Sequence, residues 1–152
     1  MVPWIHPYVE FPDGRRIRGR GLRDREPNGP VPDFGVYLLA RKPDDFPWES
    51  RWVQWTDFRT PRSDADAIDA LDEAFRRADI ERVEIACFGG VGRTGTALAA
   101  IAVLAGIPRN DAVNWVRARY HGRAAETPWQ RRWVRNLPLS DVTDATGDRR
   151  DR

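Results

Sequence analysis

The chain has 152 residues, 25 basic and 23 acidic, with a net charge of +2 and a pI near 9.1. This length suits one domain with a substantial core, and the mixing of acid with base argues against a nucleic-acid surface despite the basic pI. One cysteine excludes an internal disulfide and a cysteine zinc cluster, while the lack of a signal pattern or long apolar run predicts a soluble cytoplasmic protein without membrane contact.

Residues 1–12 are broken by Pro3, Pro7 and Pro12 and carry Trp4, Tyr8 and Phe11. Asp13-Gly14 is a turn signal. From Arg15 to Leu22 the pattern alternates, predicting a strand with Arg16, Arg18 and Arg20 on one face and Ile17, Gly19 and Gly21 on the other. Two readings of the arginine face stay open: a stripe facing water, or a basic wall beside an anionic substrate. Pro27 to Pro32 is a loop. Phe34 to Ala40 predicts a strand buried on both faces. After a Pro/Asp loop from Lys42 to Trp48, Ser50 to Trp55 predicts a third strand. Trp55-Thr56-Asp57-Phe58-Arg59-Thr60-Pro61 follows, in which Asp57 has the alternative of being an ordinary turn aspartate. Ser63 is placed to cap a helix, and Asp64 and Asp66 suit its positive end. Ile68, Leu71, Phe75 and Ala78 give that helix an apolar face. It leads into Val83-Glu84-Ile85-Ala86, a short run that predicts a buried strand, so the segment forms a crossover covering a sheet.

Next comes Cys87-Phe88-Gly89-Gly90-Val91-Gly92-Arg93-Thr94, and an apolar helix from Thr94 to Ala105 ended by Gly106 and Pro108. A glycine-rich turn between strand and helix points successive N–H groups inward, making an anion cradle. The helix start adds donors and a positive dipole end. A Walker-type loop would carry Gly at position 87 and Lys at position 93. Here a nucleophile stands first and a planar, bidentate phosphate binder seventh. A lone cysteine is as a rule a small buried hydrophobe. The helix start, the nearby arginine and the many N–H donors instead favour a reactive thiolate. The chemistry is attack on a phosphorus held in the cradle.

Asn110 is placed as the N-cap of a further helix, with Val113, Val116 and Tyr120 on its apolar side and His121-Gly122 at its end. His6 and His121 are far apart and give no metal spacing. Glu126-Thr127-Pro128-Trp129-Gln130 is another helix start: Thr127 caps, Pro128 takes the first helical position and Gln130 the third, completing a capping box. Trp129, Trp133 and Leu137 follow at four-residue spacing as expected core contacts. Ser140 to Arg152 is polar with no apolar face, so one domain over 1–139 and a disordered tail over 140–152 are expected.

Cys-x-x-x-x-x-Arg-Thr between a strand and a helix resembles the phosphate loop of the cysteine-dependent protein tyrosine phosphatases. Trp55, Asp57 and Pro61 are similar to that family's general-acid loop, Trp-x-Asp-x-x-x-Pro, with Thr56 where Pro is most frequent. Asp57 leads Cys87 by thirty positions, about the family's usual distance. Glu126 to Gln130 resembles the Glu-Thr-Pro-x-Gln segment found after the phosphate loop in many members. The likeness runs from Trp55 to Gln130, and Ala86 stands where the family usually has His. The resemblance implies an α/β fold, a central, mostly parallel sheet flanked by helices, in a small dual-specificity-like member of bacterial type. It implies Cys87 as nucleophile and Asp57 as general acid. It makes Arg93, with the backbone N–H groups of Phe88, Gly89, Gly90, Val91 and Gly92, the holder of the phosphate, and Thr94 a donor to the departing thiolate. For Gln130 two readings stand: the family's holder of the hydrolytic water, or a helix cap.

Low-molecular-weight phosphatases and arsenate reductases open with their cysteine loop and place the acid later, the reverse of this order. Rhodanese-type sulfurtransferases lack the paired Arg-Thr and the upstream acid. No basic residue lies from Phe88 to Gly92, unlike many phosphoinositide phosphatases. A phosphorylated protein or peptide, dephosphorylated at tyrosine or with dual specificity, is therefore the expected partner. The competing reading is a catalytically weak phosphate-binding module. No metal or cofactor is expected, nor any nucleic acid, and the chain is expected to act as a monomer.

Overall fold

The computed structural model describes Trp4 and residues 7–138, so His6 and the expected tail over 140–152 lie outside the described residues. The strands are β1 (Val9–Glu10), β2 (Arg16–Gly21), β3 (Phe34–Leu39), β4 (Glu49–Gln54) and β5 (Val83–Cys87). The helices are α1 (Asp64–Arg77), α2 (Gly92–Leu104), α3 (Ala112–Arg119) and α4 (Pro128–Arg135). The sheet order is β1-β2-β5-β3-β4, parallel throughout except for β1 against β2. This is the mostly parallel α/β sheet that the sequence predicts. β1 is an addition: Phe11 N–H donates to Arg15 O and Gly14 N–H to Phe11 O, closing a hairpin at Asp13-Gly14.

Side-chain alternation gives the sheet two different faces. On one, Ile17, Val36, Leu38, Val83 and Ile85 are fully buried in the hydrophobic core. α2 is apolar on all sides, so it takes the centre of the helical layer. It packs on β5 and β2 and touches α1, α3 and α4, and every residue from Gly92 to Ala102 is buried. In α1 the deepest residues are Ala67, Ala70, Leu71 and Ala74, a stripe turned slightly from the expected one. Ile68 and Phe75 pack at its edge. α3 starts one residue later than expected: Asp111, not Asn110, occupies the N-cap, without a side-chain cap bond. In α4 Gln130 and Val134 are buried and Leu137 just beyond is 3% exposed, whereas Trp129, expected in the core, is 48% exposed. The buried stripe follows 130, 134 and 137, one residue on from Trp129, which faces the segment after β4.

The opposite face is built on a buried carboxylate. Glu84 has no exposed surface. It accepts from Arg18 at 2.6 and 3.0 Å, from Arg20 at 2.7 and 3.0 Å and from the Tyr37 hydroxyl at 2.8 Å. Trp48 Nε1 donates to that hydroxyl at 2.7 Å, and Phe46 stacks on the Tyr37 ring. The Arg18 guanidinium lies 4.2 Å from the Trp4 ring centroid, and Trp4 Nε1 donates to Val83 O. A Cβ on Gly35 would sit 2.2 Å from the Tyr37 hydroxyl, so only glycine leaves Tyr37 room to lie back toward Glu84. The arginine stripe therefore corrects both of its readings. Only Arg16 is a surface group, paired with Glu10. Arg18 and Arg20 face inward because the parallel register sets Arg18 opposite Glu84 on the neighbouring strand.

Burial by itself would raise the Glu84 carboxyl, but the guanidinium groups of Arg20 and Arg18 outweigh it and hold it below its ordinary value. A folded-state value below the unfolded one stabilises the fold above the unfolded carboxyl pKa, about 4.3. That stability is lost as pH falls through the folded value. The unfolding free energy of the wild type should therefore decline on acidification below about pH 4, and Glu84→Gln should flatten the decline. At neutral pH Glu84→Gln should cost about 3–5 kcal/mol in urea unfolding, because it leaves Arg18 buried without a counter-charge. A variant as stable as wild type at neutral pH would show that the network does not hold the sheet.

Candidate active site

Cys87 ends β5, and its sulfur lies at the floor of the turn into α2. Sγ accepts from Gly90 N–H at 3.2 Å and from the Thr94 hydroxyl at 3.1 Å. The turn is held from outside itself. Leu22 N–H donates to Cys87 O and Arg23 N–H to Phe88 O, both at 2.9 Å, extending the β2–β5 pairing past the strand ends. Gly90 has φ +76°, and a Cβ on it would lie 2.5 Å from Gly21 N. A Cβ on Gly21 would lie 2.7 Å from Gly89 O, so the two glycines let the turn press onto the end of β2. The Tyr120 hydroxyl donates to Gly90 O, and burial holds that hydroxyl well above the usual phenol range, so it keeps its proton.

Arg93 is the second residue of α2 and is 5% exposed. Its Nη1 donates to Trp55 O at 3.0 Å. Its Nε is buried without a hydrogen-bond partner among the described residues, 3.5 Å from Asp57 Oδ1. A buried charged N–H without a hydrogen bond is destabilising; the ion pair with Asp57 compensates it in part, and an oxygen of a bound phosphate is a fitting acceptor. Cys87, Arg93, Thr94 and Asp57 are thus brought to one place. Asp57, Cys87, Gly89, Val91 and Gly92 line a single cavity of about 260 Å³. Phe88 is an exposed side chain beside it in the turn, and Gly90 makes its contacts with β2 and Tyr120. Ala86 is fully buried on the Glu84 face of β5, in register with Arg20 and Tyr37.

The Asp57 segment is tied down by indole and amide groups. Trp55 Nε1 donates to Arg59 O at 2.6 Å, Gln130 Nε2 donates to the same carbonyl at 3.0 Å, and Trp129 Nε1 donates to Phe58 O. Phe58 has φ +62°, a conformation that costs a bulky residue about 1–3 kcal/mol and persists only where neighbours enforce it. Asp57 Oδ1 also accepts from Phe58 N–H at 3.0 Å. Gln130 has no exposed surface, and its Oε1 accepts from Thr127 N–H while Thr127 Oγ1 accepts from Gln130 N–H, both at 3.2 Å. The capping box is complete, and the remaining amide end of Gln130 reaches the acid segment rather than open solvent.

Four further residues line the cavity: Arg23, Phe58, Arg123 and Glu126. Arg123 Nη2 donates to Glu126 Oε2 at 3.0 Å, and a Cβ on Gly92 would lie 2.5 Å from Glu126 Oε1. Phe58 and Glu126 stand inside segments that the sequence had singled out, so their placement was within reach. Arg23 and Arg123 carried no signal in a chain with 25 basic residues.

A model of the protein-tyrosine phosphatase family matches residues 38–126. Among solved structures, Tk-PTP in its active form is similar over 88% of this chain and 97% of its own, with a TM-score of 0.65 and 25% identity. Kinase associated phosphatase, with serine substituted for its catalytic-site cysteine, shares the fold over 74% of this chain and 71% of its own, at a TM-score of 0.61 and 16% identity. TpbA of P. aeruginosa does so over 76% and 74%, at 0.57 and 16%. A search of curated proteins found no match. No described helix is long and apolar enough to cross a membrane. The family match begins at the end of β3 and closes at Glu126, enclosing the acid segment, the cysteine turn and the helix behind it, and the chain belongs to the protein-tyrosine phosphatase family.

Proposed function

We propose that this chain hydrolyses phosphotyrosine in proteins or peptides through a cysteinyl-phosphate intermediate. The observation that carries the reading is the buried Nε of Arg93, which has no hydrogen-bond partner among the described residues and pairs with Asp57 Oδ1 at 3.5 Å beside the cysteine turn. In the first step the Cys87 sulfur attacks phosphorus, and the P–O bond to the leaving oxygen breaks as the S–P bond forms. Arg93 and the N–H groups from Phe88 to Gly92 hold the equatorial oxygens. Asp57, as the free carboxylic acid, gives its proton to the leaving oxygen. In the second step water attacks the phosphorus, Asp57 takes a proton from it, and the sulfur departs. The Thr94 hydroxyl, already 3.1 Å from Sγ, donates to the departing thiolate. The capping box gives Gln130 a sufficient structural role, and its bond to Arg59 O makes it a positioning residue for the acid segment.

An aryl ester suits the rim. Among the described residues Phe58, Phe88 and Trp129 are large apolar side chains left exposed, and Phe58 adjoins Asp57 in the cavity wall. A phenyl ring leaving beside them keeps apolar contact that an alkyl ester of serine or threonine lacks.

Cys87→Ser should lower turnover of a phosphotyrosine peptide by at least about 10³-fold while binding of the peptide persists, since a serine hydroxyl is not ionised there and the cradle remains. Substantial turnover in a clean Cys87→Ser preparation would remove Cys87 from the nucleophile's place. Arg93→Lys should cut kcat/KM by about 10²- to 10³-fold, as an ammonium cannot supply two parallel hydrogen bonds; a lysine variant near wild-type activity would make Arg93 structural.

Asp57→Asn separates acid catalysis from positioning. Expelling a phenoxide of pKa about 10 needs a proton donor worth about 10²- to 10⁴-fold. A nitro-substituted aryl phosphate releases a weaker base and gains little. The dependence of kcat/KM on leaving-group pKa should therefore be steeper in Asp57→Asn than in wild type. Parallel dependences would move the acid to another residue.

A further inference from the structure

Strand β2 carries glycine at 19 and 21, on the face that Ile17 gives to the core. Gly21 makes room for the cysteine turn, and Gly19 makes room for Tyr120. A Cβ on Gly19 would lie 2.5 Å from Cε1 of the tyrosine ring and 2.9 Å from its hydroxyl oxygen, so the ring rests directly on the backbone of β2. At its other end Tyr120 closes α3, its N–H donating to Val116 O at 2.7 Å, and the ring packs against the hydrophobic core. Fixed in this way, the side chain brings its protonated hydroxyl to Gly90 O. No other hydrogen-bond donor reaches that carbonyl among the described residues.

Gly90 is the residue of the turn that its own chemistry fixes least, with φ +76° and no side chain. Its N–H donates to Cys87 Sγ at 3.2 Å, which orients the peptide before it. The peptide after it joins Gly90 C=O to Val91 N–H. A trans peptide is planar with those two groups on opposite sides. A carbonyl drawn to Tyr120 therefore turns the Val91 N–H away from Tyr120, and Val91 lines the cavity that holds Cys87 and Asp57. Rotated the other way, the same peptide would offer an oxygen to the phosphate where the cradle needs a donor, and a glycine resists that rotation little.

We infer that Tyr120 is a positioning residue for phosphate capture: its hydroxyl holds the Gly90–Val91 peptide with the carbonyl outward and the Val91 N–H turned to the cavity. This rests on the phosphatase reading of the site. The hydroxyl acts through the turn and touches neither phosphate nor leaving group, so it sets the share of molecules whose cradle is ready before substrate arrives. A site that is competent part of the time binds more weakly by that fraction, and saturating substrate restores the competent form. Loss of the hydroxyl belongs in KM rather than in kcat.

Tyr120→Phe removes the hydroxyl and keeps the ring over Gly19. With a phosphotyrosine peptide it should raise KM about tenfold, the effect of leaving one carbonyl without its donor, while kcat stays within about twofold of wild type. The inhibition constant of inorganic phosphate should rise by the same factor. In the Cys87→Ser protein, adding Tyr120→Phe should weaken peptide binding about tenfold, a measurement that needs no turnover. Unchanged KM and phosphate affinity, with or without a lower melting temperature, would make Tyr120 a packing residue and overturn the inference. A fall in kcat at constant KM would also overturn it, since the hydroxyl would then act in the transition state. Gly19→Ala keeps the hydroxyl but crowds the ring, so it should show the same rise in KM. The two substitutions together should lose no more than the larger single effect, because both act through one contact. Additive losses would overturn the route through the ring. Tyr120→Phe decides the question by itself if the crowded Gly19→Ala chain does not fold. Failure of the wild type to hydrolyse the peptide would overturn the phosphatase reading separately, because the binding loss in the Cys87→Ser protein stands without it.

Discussion

A carboxylate without exposed surface sits in the middle strand of the sheet, three residues before Cys87, and its charge has to be met inside the protein. Glu84 is met by β2 through Arg18 and Arg20 and by β3 through Tyr37. Those contacts fix β5 between its two neighbours on the face that the helices do not cover. An apolar pair could fill the same space at comparable stability. The ionic arrangement adds register: sliding β2 by one residue would turn its arginines to the hydrophobic face and leave Glu84 unmatched.

That register reaches the chemistry. The cysteine turn starts where β5 ends, and Leu22 and Arg23 continue the pairing onto the carbonyls of Cys87 and Phe88. Gly21 and Gly90 are in contact because neither carries a side chain. Tyr120 holds the turn from the α3 side, and α2 is buried along nearly its whole length behind it. A cradle that must present N–H groups to a phosphate gains from such fixing, since its donors need no reorganisation when charge develops. The segment carrying Asp57 is held differently. Asp57 stands in a more exposed segment whose carbonyls are gripped by Trp55, Trp129 and Gln130, and Phe58 is kept in a left-handed conformation between those grips. The turn around Cys87 is held mainly through backbone contacts, and the Asp57 segment by the side chains of Trp55 and of Trp129 and Gln130 at the start of α4.

Arg23 connects this machinery to the surface beside it. Its backbone N–H supports the cysteine turn, and its side chain lines the cavity that holds Cys87 and Asp57. The family resemblance leaves this loop out, because it lies in the N-terminal third of the chain and precedes every matched motif.

The sequence by itself determined the elements whose chemistry is local. Glycines and an arginine after a β-branched run predict strand, anion cradle and helix start; Thr127-Pro128-x-Gln130 predicts a capping box, and both of its bonds are present. The order of Asp57, Cys87 and Arg93 was legible for the same reason. Tertiary structure alone decided what depends on distant neighbours. Arg18 meets Glu84 across 66 positions, which no periodicity in either strand reveals, and so Arg18 and Arg20 of a stripe that alternation assigned to water or to a substrate wall turn inward instead, while Arg16 stays at the surface. Trp129 keeps the spacing of a core residue but is half exposed, because the stripe that packs runs through Gln130 and Val134 and because Phe58 O, 71 positions away, offers its indole an acceptor. Spacing fixes which side chains share a face; which face is covered, and by what, depends on contacts that form only once the chain has closed on itself.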